Sequence, residues 1–108
     1  MKCTNAFTVG ELITGKRFLE PFSGCGRLYD LYSKWRPSEV VMVDVNRHAI
    51  GHVKRHLPRV KPFCSDVLSW SRQERGKFGV SIAFWGLCYL DLRGVGVYLR
   101  WVKNHVQV

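Results

Sequence analysis

The sequence predicts an α/β fold in which a parallel sheet of about four strands carries helices on both faces. Three observations predict it. Short runs of apolar, mostly β-branched residues, such as residues 40–43, are typical of strands buried on both faces. Segments with apolar residues at helical spacing alternate with these runs. Glycine and proline separate the two kinds of segment, and 108 residues allow one domain at most, at roughly 150 residues per domain.

The first third of the chain is divided by glycine and proline. A short helix is predicted at residues 9–14, and residues 17–20 form a short apolar strand. Two glycines and a proline exclude regular structure from residues 21–26, which therefore form a tight turn. The spacing of apolar side chains then predicts a helix at residues 27–35, which Pro37 ends.

The middle of the chain predicts a strand, a helix and a second strand. Residues 40–43 form a strand of the buried type, and Asp44 ends it. Asn46 is a residue type that caps helices, so we predict a helix from there to about His56. A weaker strand follows at residues 60–64.

The last third of the chain contains a further strand and a longer helix. Residues 67–75 predict a single helical turn or a loop, and residues 78–85 a strand of the buried type. After Asp91 an apolar helix follows. Four of its residues are predicted to share one side: Val95, Tyr98, Leu99 and Val102. In a sheet of this kind, ligands bind beyond the carboxyl ends of the strands.

The composition is that of a globular protein with a strongly basic charge. Seventeen Lys and Arg against eight Asp and Glu leave a formal charge of +9, which suits nucleic acid, an anionic surface or an acidic protein as partner. The four cysteines form no CxxC pair, which argues against a zinc ribbon or a redox motif. We expect an intracellular protein without a membrane partner, because no signal peptide is visible and the longest apolar run, residues 80–90, is about half a membrane span.

Three histidines recur every four residues on one predicted helix: His48, His52 and His56. Two histidines at this spacing can bind zinc, but no carboxylate joins them and arginines and lysines crowd the same helix. A solvated basic face is the better interpretation, and together with Arg59 and Lys61 it could contact phosphates. We therefore expect no metal.

The clearest indication of a ligand-binding site is the turn after the first strand. Gly24 and Gly26 allow the backbone to approach a ligand closely, and the start of the next helix offers free N–H groups. Glu20 precedes the turn, and Asp44 ends the next strand 18 residues after Gly26. An acid about 20 residues past a glycine turn is placed to accept hydrogen bonds from ribose hydroxyls. A turn that merely joins strand to helix is the alternative, which the second acid disfavours.

The spacing Glu20-x-Phe22-x-Gly24-x-Gly26 resembles motif I of the class I S-adenosylmethionine-dependent methyltransferases, with Phe22 where their first glycine usually lies. Residues 40–46 look like their second motif. Within that class the chain is most similar to the alpha-N-terminal protein methyltransferases, and four segments carry this likeness: residues 24–27, 42–45, 84–90 and 98–103. The resemblance covers residues 17–104 but only the first half of that family's domain. It implies a Rossmann-like class I methyltransferase sheet, truncated to about four parallel strands with flanking helices. Residues 1–108 would then form a single, partial domain.

The resemblance also implies the cofactor, S-adenosylmethionine, and the residues that bind it. Arg27 would pair with the methionine carboxylate, Asp44 would hold the ribose, and Asp66 would contact the adenine amino group. The full set of implied cofactor-binding residues is Glu20, Gly24, Gly26, Arg27, Asp44 and Asp66.

On the substrate side, the resemblance implies roles for Trp85 and Tyr89. It assigns no catalytic residue, because the catalytic half of the family's pattern is altered or missing. Phe84 stands where the family has a glutamine, Tyr89 where it has a histidine, and Gly79 where it has an acid. A rival likeness to adenine DNA methyltransferases fails at residues 84–87, where those enzymes need an Asn/Asp-Pro-Pro-aromatic segment.

Three functions stay open at this point. The first is a methyltransferase, acting on protein N-terminal amines, that depends on a missing half or a partner for catalysis. The second is a catalytically inactive methyltransferase-fold subunit of a ribonucleoprotein or other complex, which binds RNA or protein through its basic surface. The third is a fragment of an ordinary enzyme. The fourth strand would form an open sheet edge, where we expect a protein partner or a second half-domain to pair.

Overall fold

The computed structural model describes residues 8–74, 76–84, 86 and 90–107. Five helices and four strands alternate along this part of the chain: α1 (Val9–Ile13), β1 (Arg17–Pro21), α2 (Tyr29–Tyr32), a 3₁₀ turn (Ser33–Trp35), β2 (Glu39–Asp44), α3 (Arg47–His56), β3 (Val60–Cys64), α4 (Val67–Gln73), β4 (Val80–Ser81) and α5 (Leu92–His105). No helix among the described residues is long and apolar enough to cross a membrane.

The four strands form one parallel sheet in the order β3-β2-β1-β4. The chain moves outward from β1 through β2 to β3, and then crosses back so that β4 pairs with the free side of β1. The direction of winding therefore reverses beside β1. The carboxyl ends of the strands at such a reversal leave a crevice between the connections that depart in opposite directions.

Each face of the sheet has its own hydrophobic core, because successive side chains of a strand point to opposite faces. The core under α1, α2 and α3 is formed by Ile13, Phe18, Tyr32, Val40, Met42, Val53, Val60 and Val80. The core under α4 and α5 is formed by Leu19, Val41, Val43, Val67, Trp70, Phe78, Tyr98 and Trp101. The predicted α/β class, the parallel sheet and the helices on both faces are confirmed.

The helix predicted from Asn46 to about His56 is confirmed as α3. Asn46 caps α3, since its side-chain oxygen accepts a hydrogen bond from the Ala49 N–H at 3.0 Å. Residues 67–75, predicted as one turn or a loop, contain a two-turn helix instead. Asp66 explains it, because its carboxylate accepts the Ser69 N–H and caps α4.

Two predicted elements are shorter than expected. The helix predicted at residues 27–35 is reduced to α2 and a 3₁₀ turn, because no side chain caps its start and Arg36 ends it in the left-handed region. Of the strand predicted at residues 78–85, Val80 and Ser81 pair with β1 as β4, whereas Phe78 pairs in parallel with Val106, and Trp85 lies outside the described residues. The amino end of the expected open edge is thus partly covered.

The buried side of α5 matches the predicted one at Tyr98 and Val102 but not at Leu99. Leu99 is 51% exposed, whereas Gly94, Tyr98 and Trp101 are buried. Trp101 sets this orientation, because its ring packs against the rings of Trp70 and of Phe78, with centroids 5.4 Å and 6.2 Å away. A tryptophan buries more apolar surface than a leucine, so the burial of Trp101 stabilises the fold more than the burial of Leu99 would.

Candidate functional site

A cavity of about 840 Å³ opens at the carboxyl ends of β1, β2 and β3. It lies at the edge of the sheet where the winding reverses, which is the expected place for a ligand. Five of the six predicted cofactor residues line it: Glu20, Gly24, Arg27, Asp44 and Asp66.

The turn after β1 shows why glycine is required at two positions. Gly24 and Gly26 have φ angles of 58° and 84°, in the left-handed region that favours glycine. Gly24 faces open space and lines the cavity. Gly26 is buried instead, and a Cβ atom there would lie 2.7 Å from Leu57 Cδ1. Gly24 is thus placed to meet a ligand, and Gly26 allows the turn to pack on α3 and β2.

Asp44 connects the end of β2 to this turn. Its Oδ2 accepts a hydrogen bond from the Gly24 N–H at 2.9 Å, and its Oδ1 accepts one from the Asn46 N–H at 2.8 Å. Each carboxylate oxygen can accept a second hydrogen bond. The side chain therefore shapes the cavity and keeps acceptor capacity toward it.

Asp66 lines the cavity from the start of α4. Its Oδ2 accepts hydrogen bonds from the Ser69 N–H and hydroxyl at 3.0 Å and 3.1 Å. Its other oxygen, Oδ1, has no hydrogen-bond partner within the described part of the chain. That oxygen can receive an N–H or O–H donor from a ligand.

Glu20 lies at the floor of the cavity and is only 2% exposed. The Tyr32 hydroxyl donates a hydrogen bond to its Oε1 at 2.7 Å. Burial raises the pKa of Glu20 to about 7, although the Tyr32 hydrogen bond opposes this shift. Burial and the nearby carboxyl also raise the pKa of Tyr32 above its usual value. Glu20 is thus a buried carboxyl that changes its charge near neutral pH.

Arg27 is the positively charged residue of the cavity lining. Its side chain is exposed and has no ion-pair partner among the residues that the structure describes. Three carboxyl side chains and one guanidinium therefore face the same cavity. Such a lining suits a ligand that carries both hydrogen-bond donors and a carboxylate.

Phe22 occupies the place of the missing motif glycine, and it does so with a φ angle of 57°. Its ring lies against the backbone of Gly86 and meets Tyr98 edge-on at 6.2 Å between centroids. A phenylalanine is uncommon in this backbone region, so the packing of its ring supports an otherwise unfavourable conformation. Phe22 also lines the cavity.

The sequence did not identify several lining residues. Val45, Asn46, Phe84 and Leu90 line the cavity in addition to the predicted set. Val45 and Asn46 directly follow the strand that ends at Asp44, and this position could have identified them as residues of a ligand site. Trp85 and Tyr89, the predicted substrate-side residues, lie outside the described residues.

The histidines of α3 are exposed. The rings of His52 and His56 lie 4.4 Å apart on the exposed side of the helix. Across the described ranges, no group of three or more His, Cys, Asp or Glu residues could hold a metal ion.

Comparison with known proteins identifies the fold. No protein-family model matches the sequence, and no curated protein matches it. Among solved structures, TehB from Haemophilus influenzae matches with a TM-score of 0.77 and 16% identity, over 97% of this chain and 39% of that chain. A TehB-like SAM-dependent methyltransferase from Corynebacterium glutamicum gives 0.73 and 19%, over 95% and 59%. PKMT2 from Rickettsia typhi, solved in complex with AdoHcy, gives 0.72 and 15%, over 85% and 19%.

These similarities define the class of fold. The chain has the Rossmann-like fold of the SAM-dependent class I methyltransferases, with four parallel strands and flanking helices. It spans 19% to 59% of the length of the three structures compared. The narrower resemblance to the alpha-N-terminal protein methyltransferases stays a prediction.

Proposed function

We propose that the cavity binds S-adenosylmethionine and that the chain is the cofactor-binding part of a methyltransferase. One observation carries the proposal. The glycine turn, Arg27 and the carboxyls of Asp44 and Asp66 line one cavity, at the sheet edge where this fold binds its ligands.

The chemistry of the lining matches the parts of this cofactor. Asp44 would accept hydrogen bonds from the ribose hydroxyls, and Asp66 Oδ1 would accept one from the adenine amino group. Arg27 would pair with the methionine carboxylate through its guanidinium. The carboxyls also offset the positive charges of the cofactor's ammonium and sulfonium groups. When bound, the cofactor supplies an electrophilic methyl group for transfer to a nucleophile.

The acceptor and the source of catalysis are proposed from the resemblance. The acceptor would be the α-amine of a protein N-terminus. Catalysis would depend on a second half-domain or a partner chain.

A second candidate is a methyltransferase fold that has lost catalysis. The position of Phe22 favours it, because an aromatic ring lines the cavity at the place where the motif has a glycine. A subunit of this kind would belong to a ribonucleoprotein or another complex. Its cavity would be narrowed by the Phe22 ring, or would hold no cofactor within that complex.

Calorimetric titration of the chain with S-adenosylmethionine tests the proposal. We expect micromolar binding, and a loss of at least tenfold in affinity in Asp44→Asn, which keeps an acceptor for the turn but removes the charge. Asp30→Asn is the matched control, since Asp30 is exposed on α2 and does not line the cavity. Absence of binding by the folded chain, or equal affinities of the two variants, would contradict the proposal.

Catalysis is tested separately from binding. The chain is incubated with radiolabelled S-adenosylmethionine and a peptide, alone and with a cell extract that supplies a partner. Label transferred to a free peptide α-amine but not to an acetylated one supports the amine acceptor. Cofactor binding without transfer under either condition favours the second candidate.

A further inference from the structure

A group of exposed cations lies at the amino edge of the sheet, whereas the carboxyl edge carries capping acids as well as arginines. Because all strands are parallel, their carboxyl ends share one edge and their amino ends share the other. Asp44, Asp66 and Asp91 lie at the carboxyl edge, each accepting a backbone N–H at the start of the following turn or helix. The segments that lead into the strands, and the end of α3, carry exposed cations at the other edge: Lys16, Arg36, Lys54, Arg55, Arg59 and Lys77.

The cations of the amino edge are not neutralised by neighbouring acids. Glu39 and Glu74 lie at this edge, but Arg17 forms ion pairs with them at 2.8 Å and 3.2 Å. Glu39 also pairs with Lys61 at 3.3 Å. Within the described part of the chain, none of the six exposed cations forms an ion pair. Their charge is therefore available to a partner.

A second cavity, of about 410 Å³, lies within this edge. Arg36 and Arg59 line it together with Tyr29, Ser33 and Ser38, and with Glu39, whose carboxylate is paired with Arg17 and Lys61. Two guanidinium groups and several hydroxyls are the donors that bind phosphate oxygens.

The backbone holds Arg36 in a defined place beside Lys16. Arg36 has φ and ψ angles of 54° and 63°, and its carbonyl accepts the Gly15 N–H at 3.0 Å. The Lys16 carbonyl in turn accepts the Ser38 N–H at 2.9 Å. These bonds join the segments before β1 and β2, so the two cations belong to one continuous surface.

We propose that the amino edge of the sheet binds the phosphodiester backbone of a nucleic acid, and that Arg36 and Arg59 bind the same phosphate group. Charge complementarity supports this partner. The large exposed apolar side chains of the described residues all lie outside the segments that lead into the strands. Binding to a membrane surface or to a protein would bury exposed apolar side chains. This surface lies at the edge of the sheet opposite the first cavity, so a nucleic acid and S-adenosylmethionine can bind at the same time. The proposal does not depend on the proposed function.

Fluorescence anisotropy with labelled single-stranded RNA and DNA of about 16 nucleotides tests the proposal. Affinity is measured between about 50 and 200 mM salt. The test variant is Arg36→Asn with Arg59→Gln, where asparagine is chosen because it tolerates the left-handed region. The matched control is Arg47→Gln with Arg93→Gln, which removes two exposed arginines near the carboxyl edge. Arg36→Lys with Arg59→Lys retains the charge and controls for misfolding.

We expect the test variant to bind at least about tenfold more weakly at 0.1 M salt, with the salt slope reduced by about 0.7 for the single strand, because one phosphate contact is lost. The lysine variant retains most of the slope, and the control variant most of the affinity. Tighter binding of RNA or of DNA identifies the source of the backbone. Equal losses in the test and control variants would overturn the proposal. Binding only to anionic lipid vesicles or to an acidic protein would also overturn it.

Discussion

The carboxylate of Asp44 accepts the backbone N–H of Gly24 at 2.9 Å, which joins the end of β2 to the turn that follows β1. Two residues that are 20 positions apart in the sequence thus form one wall of the cavity. The acid predicted to hold a ribose also maintains the shape of the turn beside it. Binding and local stability are therefore coupled at this position.

The first prediction concerns the stability that Asp44 provides. Asp44→Ala removes the acceptors of two backbone N–H groups, so we expect the free energy of unfolding to fall by about 1–3 kcal/mol. Asp44→Asn retains one side-chain acceptor and should cost less. Urea unfolding with an unchanged m-value measures both. The exposed Asp30→Ala is the control, and a loss for Asp44→Ala no larger than that of the control would show that the turn does not rely on Asp44.

The second prediction concerns the pH dependence caused by Glu20. Its carboxyl has a pKa of about 7 in the folded chain, against 4.5 when unperturbed. Between these two values the unfolded state has lost its proton while the folded state still holds it, so stability falls as pH rises through this window. The expected loss from Glu20 is about 3 kcal/mol.

Glu20→Gln isolates this contribution, because glutamine cannot titrate and can still accept the Tyr32 hydroxyl. The variant should become more stable relative to the natural chain as pH rises from about 5 to about 8. Urea unfolding of both proteins at several pH values measures this difference in stability. Parallel stability curves for the two proteins would refute the assigned titration.

The third prediction separates the two motif glycines. Both have positive φ angles, so alanine strains the backbone at either position by about 1–2 kcal/mol. Gly26→Ala adds a clash with Leu57 and should be the more destabilising change. Gly24→Ala projects into open space on the cavity side and should weaken cofactor binding with less loss of stability. Thermal unfolding and calorimetric titration measure the two effects; the reverse ranking in stability would contradict the assignment.

The fourth prediction concerns the backbone of Phe22. Replacing it by alanine or glycine removes the same ring packing, but only glycine relieves the positive φ angle. We therefore expect Phe22→Gly to be more stable than Phe22→Ala by about 1–2 kcal/mol. At Lys54, which is exposed within α3, the order should reverse, because glycine is the weaker helix former by about 1 kcal/mol. The same order at both positions would mean that Phe22 is not strained.

The sequence predicted what depends on local signals. The cap at Asn46, the buried strand at residues 40–43 and the glycine turn are encoded by neighbouring residues, and the structure contains all three. Asp44 was identified from its position at the end of this buried strand. A parallel sheet brings that position beside the glycine turn.

Features that depend on distant residues were missed. The exposure of Leu99 follows from the packing of Trp101 between Trp70 and Phe78, which come from other elements. The ring of Phe22, whose backbone is left-handed, packs against the backbone of Gly86, which is distant in the sequence. None of these contacts has a periodic or neighbouring signal in the sequence.

Titration of the ¹⁵N-labelled chain with S-adenosylmethionine, followed by NMR at each backbone amide, locates the cofactor on the chain. We expect saturable shifts of the Gly24, Val45 and Asn46 amides at the carboxyl edge, while the amides of Arg36 and Arg59 stay unchanged. An unshifted Gly24 amide at saturating cofactor would contradict this expectation, because the Asp44–Gly24 contact would then not border the binding site.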